Sequence, residues 1–298
     1  MPEQDVYDSP SNESVPSRSY QGLLLNQTFT LYKSTSLPSL KPSDFKYIKH
    51  QLSTYLYVNY QRRSSDMILR PYSSAREVYL DLKVTIQEDS NEYYSTKYLI
   101  CKCRNKTVMV TQSLIFITKI NNRTSTNDEE NINCSTIVLS KSTSIHQLLI
   151  SSLNSISADV PFVIERITLK PDIIPTIINE LARNSLSAVG DLSLTYNQAN
   201  KQINGNLNSI HISIPEADIR SIIESSSQNV LDPALDLIQK FITMSTSLRL
   251  QNLIISRLVT RRINLSIDGK FKLSSYDNDA NKDINDVMII LLNGLTSV

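Results

Sequence analysis

The chain has 298 residues, of which 40% are hydrophobic and 20% are charged, and its formal net charge is +1. This length fits one large α/β unit or two fused halves, and the composition is that of a globular protein. No continuous apolar stretch is long enough to cross a bilayer, so we expect no membrane contact. Segment 1–20 lacks the basic and apolar regions of a secretory signal and is expected to be a disordered tail.

Three cysteines, Cys101, Cys103 and Cys134, cannot all pair, and such a sparse set is typical of a reducing compartment, either nucleus or cytosol. Cys101 and Cys103 alternate on a predicted strand. We interpret them as structural residues on opposite faces or in neighbouring positions, unsuited to a metal or redox clamp. The histidines stand far apart without ligand spacing, so no metal site is expected: His50, His146 and His211.

The first half of the chain combines helical and alternating patterns. Pro42, Ser43 and Asp44 form a helix start signal, and the apolar residues that follow predict a helix ending near Arg62. Alternation then predicts antiparallel strands at Val78–Ile86, Tyr93–Lys102, Val108–Ile120 and Ile137–Ser140. The polar segment 121–134 is interpreted as an exposed loop, and Ser142–Ile156 as a helix.

The second half shows the same mixture of strand and helix patterns, with a short extended segment at Phe162–Leu169 followed by a helix that starts at Pro171. Leu192–Tyr196 and Ile210–Ile214 flank a turn-rich segment and predict a hairpin. Pro215 then starts a helix that should face the sheet with three isoleucines: Ile219, Ile222 and Ile223.

The C-terminal part is the most strand-like. A helix at Pro233–Thr246 should precede strands at Leu250–Thr260 and Arg262–Ser275, the latter folded back at a tight Asp268-Gly269 turn. A helix at Lys282–Leu295 should close the chain. We therefore predict an α/β (α+β) fold with a mostly antiparallel twisted sheet and flanking helices. Two loosely repeated halves are expected, at 21–157 and 158–298, with a partner-binding sheet edge in the second.

No catalytic constellation stands out. The acidic residues include no pair at a predictable separation for acid–base chemistry, and only five glycines are present, so no glycine-rich loop could hold a phosphate. We therefore expect no enzyme activity, no cofactor and no small-molecule substrate.

Both ends of the chain resemble the centromere protein L family. LLLNQTFTLYKSTSL at 23–37, before a helix, is similar to that family's entry strand and turn. IHISIPEADIRSII resembles its strand, proline-capped turn and helix, and NLIISRLVTRRINLSIDGKFKL its two final strands around a DGK turn. The ending DVMIILLNGL falls where the family has its last helix. Phe29 stands where the family often has tryptophan, and the asparagine-rich inserts suggest a fungal relative.

The resemblance implies a non-catalytic subunit of the constitutive inner kinetochore, located in the nucleus at the centromere of the chromosome. Such a subunit forms a heterodimer with centromere protein N, assembles with other inner kinetochore subunits and helps them bind the centromeric nucleosome and DNA through the DNA backbone. Its part in chromosome segregation is that of a scaffold.

Edge pairing would be the physical mechanism, with a sheet edge of this chain continued by the partner's sheet. We hypothesise that five apolar residues border or support that edge, with ordinary core positions as the open alternative: Ile263, Leu265, Ile267, Phe271 and Leu273.

Basic residues crowd both sides of the DGK hairpin, and strand pairing could bring them onto one surface that neutralises phosphates without reading bases. The candidate residues are Arg257, Arg261, Arg262, Lys270 and Lys272. A generic solvated face is the alternative. An α/β adaptor, or a nucleic-acid-processing accessory subunit of another complex, is the alternative function, because a fold does not determine a function.

Overall fold

The computed structural model describes residues 22–35, 37, 39–62, 72–104, 109–120, 136–156, 162–184, 186–198, 209–226, 233–250, 253–274 and 288–293. These residues form a mixed α/β fold in which an eleven-stranded open antiparallel sheet is flanked by seven helices and a helical segment at 288–293. The predicted fold class is confirmed. The predicted tail at 1–20 and loop at 121–134 lie outside the described residues.

The strands are β1 Thr28–Ser34, β2 Leu82–Ser90, β3 Tyr94–Arg104, β4 Met109–Lys119, β5 Thr136–Ser140, β6 Ile164–Arg166, β7 Leu192–Gln198, β8 Ser209–Ile214, β9 Leu253–Val259, β10 Ile263–Ser266 and β11 Lys270–Leu273. The helices are α1 Pro42–Arg62, α2 Ala75–Asp81, α3 Ser144–Ile156, α4 Ile173–Asn184, α5 Leu186–Val189, α6 Glu216–Ser226 and α7 Ala234–Thr246.

Strand order in the sheet is β2-β3-β4-β5-β1-β11-β10-β9-β7-β8, and β6 pairs with β1 beside β11. The two predicted halves therefore share one sheet, because β1 from the first half hydrogen-bonds to β6 and β11 from the second. The hairpin predicted around residue 200 is confirmed as β7 and β8.

One face of the sheet is apolar from β3 to β8, and we call its packed side chains the larger core. Directly paired residues point to the same face, so the register traces an apolar row across the last six strands. This row consists of Phe29, Phe271, Leu265, Leu258, Leu194 and Ile212. Helices α4, α6 and α7 and segment 288–293 cover the larger core, and Ile219, Ile222 and Ile223 of α6 pack on it as predicted.

The opposite face is apolar only over β2 to β5, where α1, α2 and α3 pack on it and form what we call the smaller core. Cys101 and Cys103 both point into this core, so of the two predicted arrangements opposite faces is wrong and neighbouring positions on one face is correct. Residues two apart on a strand share a face. Burial raises the pKa of the Cys101 thiol to about 12, which makes this thiol a poor nucleophile.

The start of β2 differs from the prediction, which placed a strand from Val78. Residues 75–81 form α2 instead, and the strand begins at Leu82. The Glu77 backbone N–H donates to the Ser74 side chain, while the Glu77 carboxylate accepts from the backbone N–H of Ser73. Such reciprocal capping satisfies amides at the helix start, so capping overrides the local alternation. Leu80, predicted to lie on a strand, is an exposed helical residue.

The predicted Asp268-Gly269 turn is confirmed between β10 and β11. Gly269 has a φ of +77°, and a Cβ atom at this position would collide with the backbone carbonyl oxygen of Ile167. The turn therefore requires glycine both for its backbone conformation and for the close approach of the chain that follows β6.

We expect Gly269→Ala to lower the free energy of unfolding by about 2 kcal/mol or more, because it adds left-handed strain and a backbone collision. Urea denaturation measures this loss. Gly269→Asn separates the two causes, since asparagine tolerates positive φ but still carries a Cβ atom. Both variants should be destabilised, and a stable asparagine variant would contradict the collision.

Candidate nucleic-acid interface

Over β1 and β7 to β11 the face opposite the larger core is polar. Paired positions define two rows across these strands. The first row contains His211, Thr195, Arg257 and Ser266, and the second contains Ser213, Ser193, Val259, Asn264, Lys272 and Thr28. Lys270 continues the first row and pairs with Thr30 of β1. Adjacent strands lie about 4.8 Å apart, so the six strands span roughly 24 Å.

Three of the five predicted basic residues lie together on this polar face. Arg257 and Lys270 are exposed, and Lys272 is half-exposed. Arg257 is held in place by Asn264, whose side-chain oxygen accepts a hydrogen bond from Arg257 Nε at 3.1 Å. The prediction that strand pairing brings basic residues onto one surface is therefore correct for these three.

The other two predicted basic residues do not fit that surface. Arg261 lies in the turn after β9, where its guanidinium is 3.3 Å from the Glu216 carboxylate of α6 and its backbone N–H donates to Val189. Arg262 is only 5% exposed, so the prediction that strand pairing brings it onto this surface is wrong. Both residues belong to the connection between β9 and β10, where the regular alternation of a strand is interrupted.

A fourth cation of this face, Arg166 on β6, was not among the predicted basic residues. Its partner in the register is Tyr32 of β1, which places Arg166 on the same side as Lys270 and Lys272. We define the basic sheet face as Arg166, Arg257, Lys270 and Lys272. A three-residue strand carries too little periodicity for the sequence to assign its faces, so no local signal could have found Arg166.

Among the described residues, the carboxylate paired with the basic sheet face is that of Asp268. Arg166 donates to the Asp268 backbone oxygen at 2.9 Å, and its guanidinium is 3.9 Å from the Asp268 carboxylate. Lys270 Nζ is 3.7 Å from the same carboxylate. The Ser266 hydroxyl hydrogen bond, and then Lys270 and Arg166, hold the pKa of Asp268 below its usual range. Asp268 therefore stays charged and orients two of the cations.

The rest of the face over β7 to β11 offers hydroxyl groups, and Tyr32 of β1, which lies on the same side beside Arg166, is half-buried against the smaller core. Thr195 Oγ1 lies 3.2 Å from His211 Nδ1, and the Ser193 and Ser213 hydroxyls are 2.6 Å apart. In the described strands β7 to β11, the only tyrosine and phenylalanine, Tyr196 and Phe271, point into the larger core. Such a face can contact phosphates but provides no platform for stacked bases.

The five residues predicted to border a partner-binding edge lie in β10, β11 and the turn between them. Four of them are fully buried in the larger core, and Ile267 packs against it half-buried. The predicted edge is wrong, because β10 lies between β9 and β11, and β11 between β10 and β1. The alternative of ordinary core positions is confirmed for Ile263, Leu265, Phe271 and Leu273.

In the described part of the chain, no three or more histidine, cysteine or acidic side chains lie together so that they could hold a metal ion. None of the helices in those same residues is both long and apolar enough to span a membrane.

No protein-family model matches the sequence. A search of curated proteins also returns no significant match.

Proposed function

We propose that this chain is a non-catalytic inner kinetochore subunit that forms a heterodimer with centromere protein N and helps bind centromeric nucleosomal and linker DNA. The resemblance of segments 23–61 and 209–295 to the centromere protein L family supports the partner and the location. The open basic sheet face supports the contact with DNA and is the structural observation on which the proposal depends.

Duplex DNA suits this face better than single-stranded nucleic acid. The four cations lie on β6, β9 and β11 and span two inter-strand spacings, roughly 10 Å across the strands, while a duplex carries one phosphate charge per about 1.7 Å of its axis, so several phosphates fall within reach. The neighbouring serine and threonine hydroxyls can donate to phosphate oxygens. Binding should therefore be strongly salt-dependent and nearly independent of base sequence.

The decisive experiment removes the four charges. We expect the variant Arg166→Gln, Arg257→Gln, Lys270→Gln, Lys272→Gln to bind duplex DNA more weakly, with a log K against log [salt] slope shallower by about 3 to 4, since each neutralised phosphate contributes about 0.9. Fluorescence anisotropy across a salt series measures the slope, for the chain alone and for its complex with centromere protein N.

The matched control carries the same charge change elsewhere on the described surface. Lys46, Arg76, Lys170 and Arg249 are all exposed and lie outside the face. Their glutamine variant should keep the wild-type slope. Equal slopes for the wild type and both variants would reject the interface, and equal losses in both variants would leave only a general effect of net charge.

The heterodimer requires a sheet edge other than β10 and β11. Among the described residues, the strands with a single strand neighbour are β2, β8 and the three-residue β6, so we expect strand addition by a partner to use β2 or β8, the two long enough to form a ladder. Co-purification tests this part: an adaptor or accessory subunit of another complex would be recovered with that complex and without centromere protein N. Hydrogen exchange in the complex should then slow at 82–90 or 209–214 and stay unchanged at 262–274.

A further inference from the structure

A group of positive charges without acidic partners lies where α1, α2 and β2 meet. Lys49 of α1 lies over the Tyr79 ring of α2, with its Nζ atom 4.4 Å from the ring centroid. Lys83 of β2 pairs directly with Lys102 of β3, so these two side chains are neighbours on one face of the sheet. Among the described residues, no carboxylate forms an ion pair with any of the three lysines.

This arrangement is electrostatically unfavourable for the chain by itself. Like charges directly opposite each other on paired strands destabilise a sheet. Burial, and then the charge of Lys83, lowers the pKa of Lys49, because this ammonium group loses solvation and is repelled by its neighbour. Lys83 therefore repels two other lysines. An anion bound beside them would relieve the repulsion, which is the chemistry of a ligand site and not of a structural ion pair.

An exposed apolar residue adjoins the lysines. Leu80 follows Tyr79 on α2 and is 69% exposed, and Arg76, four residues earlier on the same side of the helix, is exposed too. Val78 of α2 is fully buried in the smaller core, so α2 directs Leu80 and Arg76 to solvent. The surface that we call the α2 patch consists of Lys49, Arg76, Leu80, Lys83 and Lys102.

We propose that the α2 patch binds an acidic peptide segment of a partner protein, in which carboxylates flank an apolar residue. The carboxylates would lie beside the lysines and Arg76, and the apolar residue would cover Leu80. This site is separate from the basic sheet face, because five strand spacings, roughly 24 Å, separate β2 from β11. It does not depend on the proposed contact with DNA.

A peptide suits the α2 patch better than a nucleic acid does. A phosphate backbone offers no apolar group to cover Leu80. In addition, Glu77 and Asp81 are exposed acids on the neighbouring side of α2, and they would repel a continuous row of phosphates. A short acidic segment that ends at Leu80 avoids both acids.

Fluorescence anisotropy tests the site on the full chain with a labelled peptide of eight glutamates around two leucines. We expect saturable binding that weakens as salt rises. Lys49→Gln with Lys83→Gln should lower the affinity about tenfold or more, because two charge contacts are lost. Lys170→Gln with Arg249→Gln makes the same charge change at exposed positions elsewhere and should leave the affinity unchanged. No binding at millimolar peptide, or equal losses in both variants, would overturn the proposal.

Leu80→Ser tests the apolar contact. Leu80 is exposed, so this variant should fold normally and bind the leucine-containing peptide about threefold or more weakly. Its affinity for a second peptide, in which serines replace the leucines, should equal that of the wild type. If Leu80→Ser changed neither affinity, or both alike, the patch would recognise charge only, and the assignment of a peptide with an apolar residue would be wrong.

Two further measurements separate this site from a structural role and from the DNA interface. Lys83→Gln should not lower the free energy of unfolding in urea, because it removes a repulsion, and a clear loss of stability would make Lys83 a structural residue. Lys49→Gln with Lys83→Gln should keep the wild-type salt slope for duplex DNA. A shallower slope would make the α2 patch a second DNA contact and not a peptide site.

Discussion

Replacing Phe271 by alanine should lower the free energy of unfolding by about 3 to 5 kcal/mol, the usual cost of emptying a buried aromatic site. Phe271 is 1% exposed and lies between Phe29 on β1 and Leu265 on β10, both fully buried. Because these neighbours belong to paired strands on both sides, they cannot collapse into the cavity without distorting the sheet. Chemical denaturation followed by circular dichroism measures the loss.

Lys272→Ala is the matched control, one residue away on the opposite face and half-exposed. It should change the stability by no more than about 0.5 kcal/mol. This pair of variants also tests the correction to the predicted edge. If Phe271→Ala kept the wild-type stability and instead weakened a protein complex, Phe271 would be a partner-binding residue and not part of the core.

Acidification should destabilise the fold through His146. This side chain is fully buried, and burial, then the charge of Lys141, lowers its pKa to about 4. The Lys141 backbone N–H donates to Nδ1 at 3.0 Å, so Nε2 carries the proton and donates to Gln112 Oε1 at 3.1 Å. A second proton on the ring would break the first hydrogen bond and place a charge in the interior.

The sign follows from linkage. In the unfolded chain the pKa of His146 is about 6.5, so above that pH His146 is neutral in both states and the fold keeps its full stability. As the pH falls from 6.5 towards 4, the unfolded chain binds a proton that the folded chain does not, and the free energy of unfolding decreases. The loss should reach about 2 kcal/mol at pH 5 and about 3 kcal/mol at pH 4. Urea denaturation of wild type and His146→Gln at pH 7 and pH 5 measures the loss of unfolding free energy due to His146. This loss should occur in the wild type only, because the other titrating groups act equally on both proteins.

His50→Gln is the control for that experiment, since His50 is exposed on α1. Its stability should depend on pH as the wild type's does. If His146→Gln kept the full wild-type pH dependence, His146 would not be the group responsible.

Elements with a regular apolar pattern and a clear start or turn signal were predictable from the sequence. α1 begins at Pro42 as predicted, and the Asp44 carboxylate accepts the Lys41 backbone N–H at 2.7 Å, as expected of an acidic helix start. The β10–β11 hairpin was predictable because glycine at the turn is a local requirement. Both features depend on residues close in sequence.

The errors at the candidate site involve contacts between distant segments. Strand order depends on which distant strands pair with each other, and local alternation does not encode this. The prediction therefore placed β10 and β11 at an edge, although both lie inside the sheet. Likewise, alternation could assign a face to Arg257 but not to Arg261 and Arg262, which follow the end of β9. Arg166 joins the basic sheet face only through the pairing of β6 with β1.

The central position of β1 has a consequence for synthesis on the ribosome. Of the described strands, β1 is synthesised first, and its pairing partners β6 and β11 lie more than a hundred and more than two hundred residues downstream. At a translation rate of 5 to 20 residues per second, the backbone groups of β1 that pair with β11 stay unpaired for roughly ten to fifty seconds. A nascent chain released before β11 would leave β1 as an unpaired edge strand with Phe29 and Leu31 uncovered, so premature termination should direct the product to chaperones.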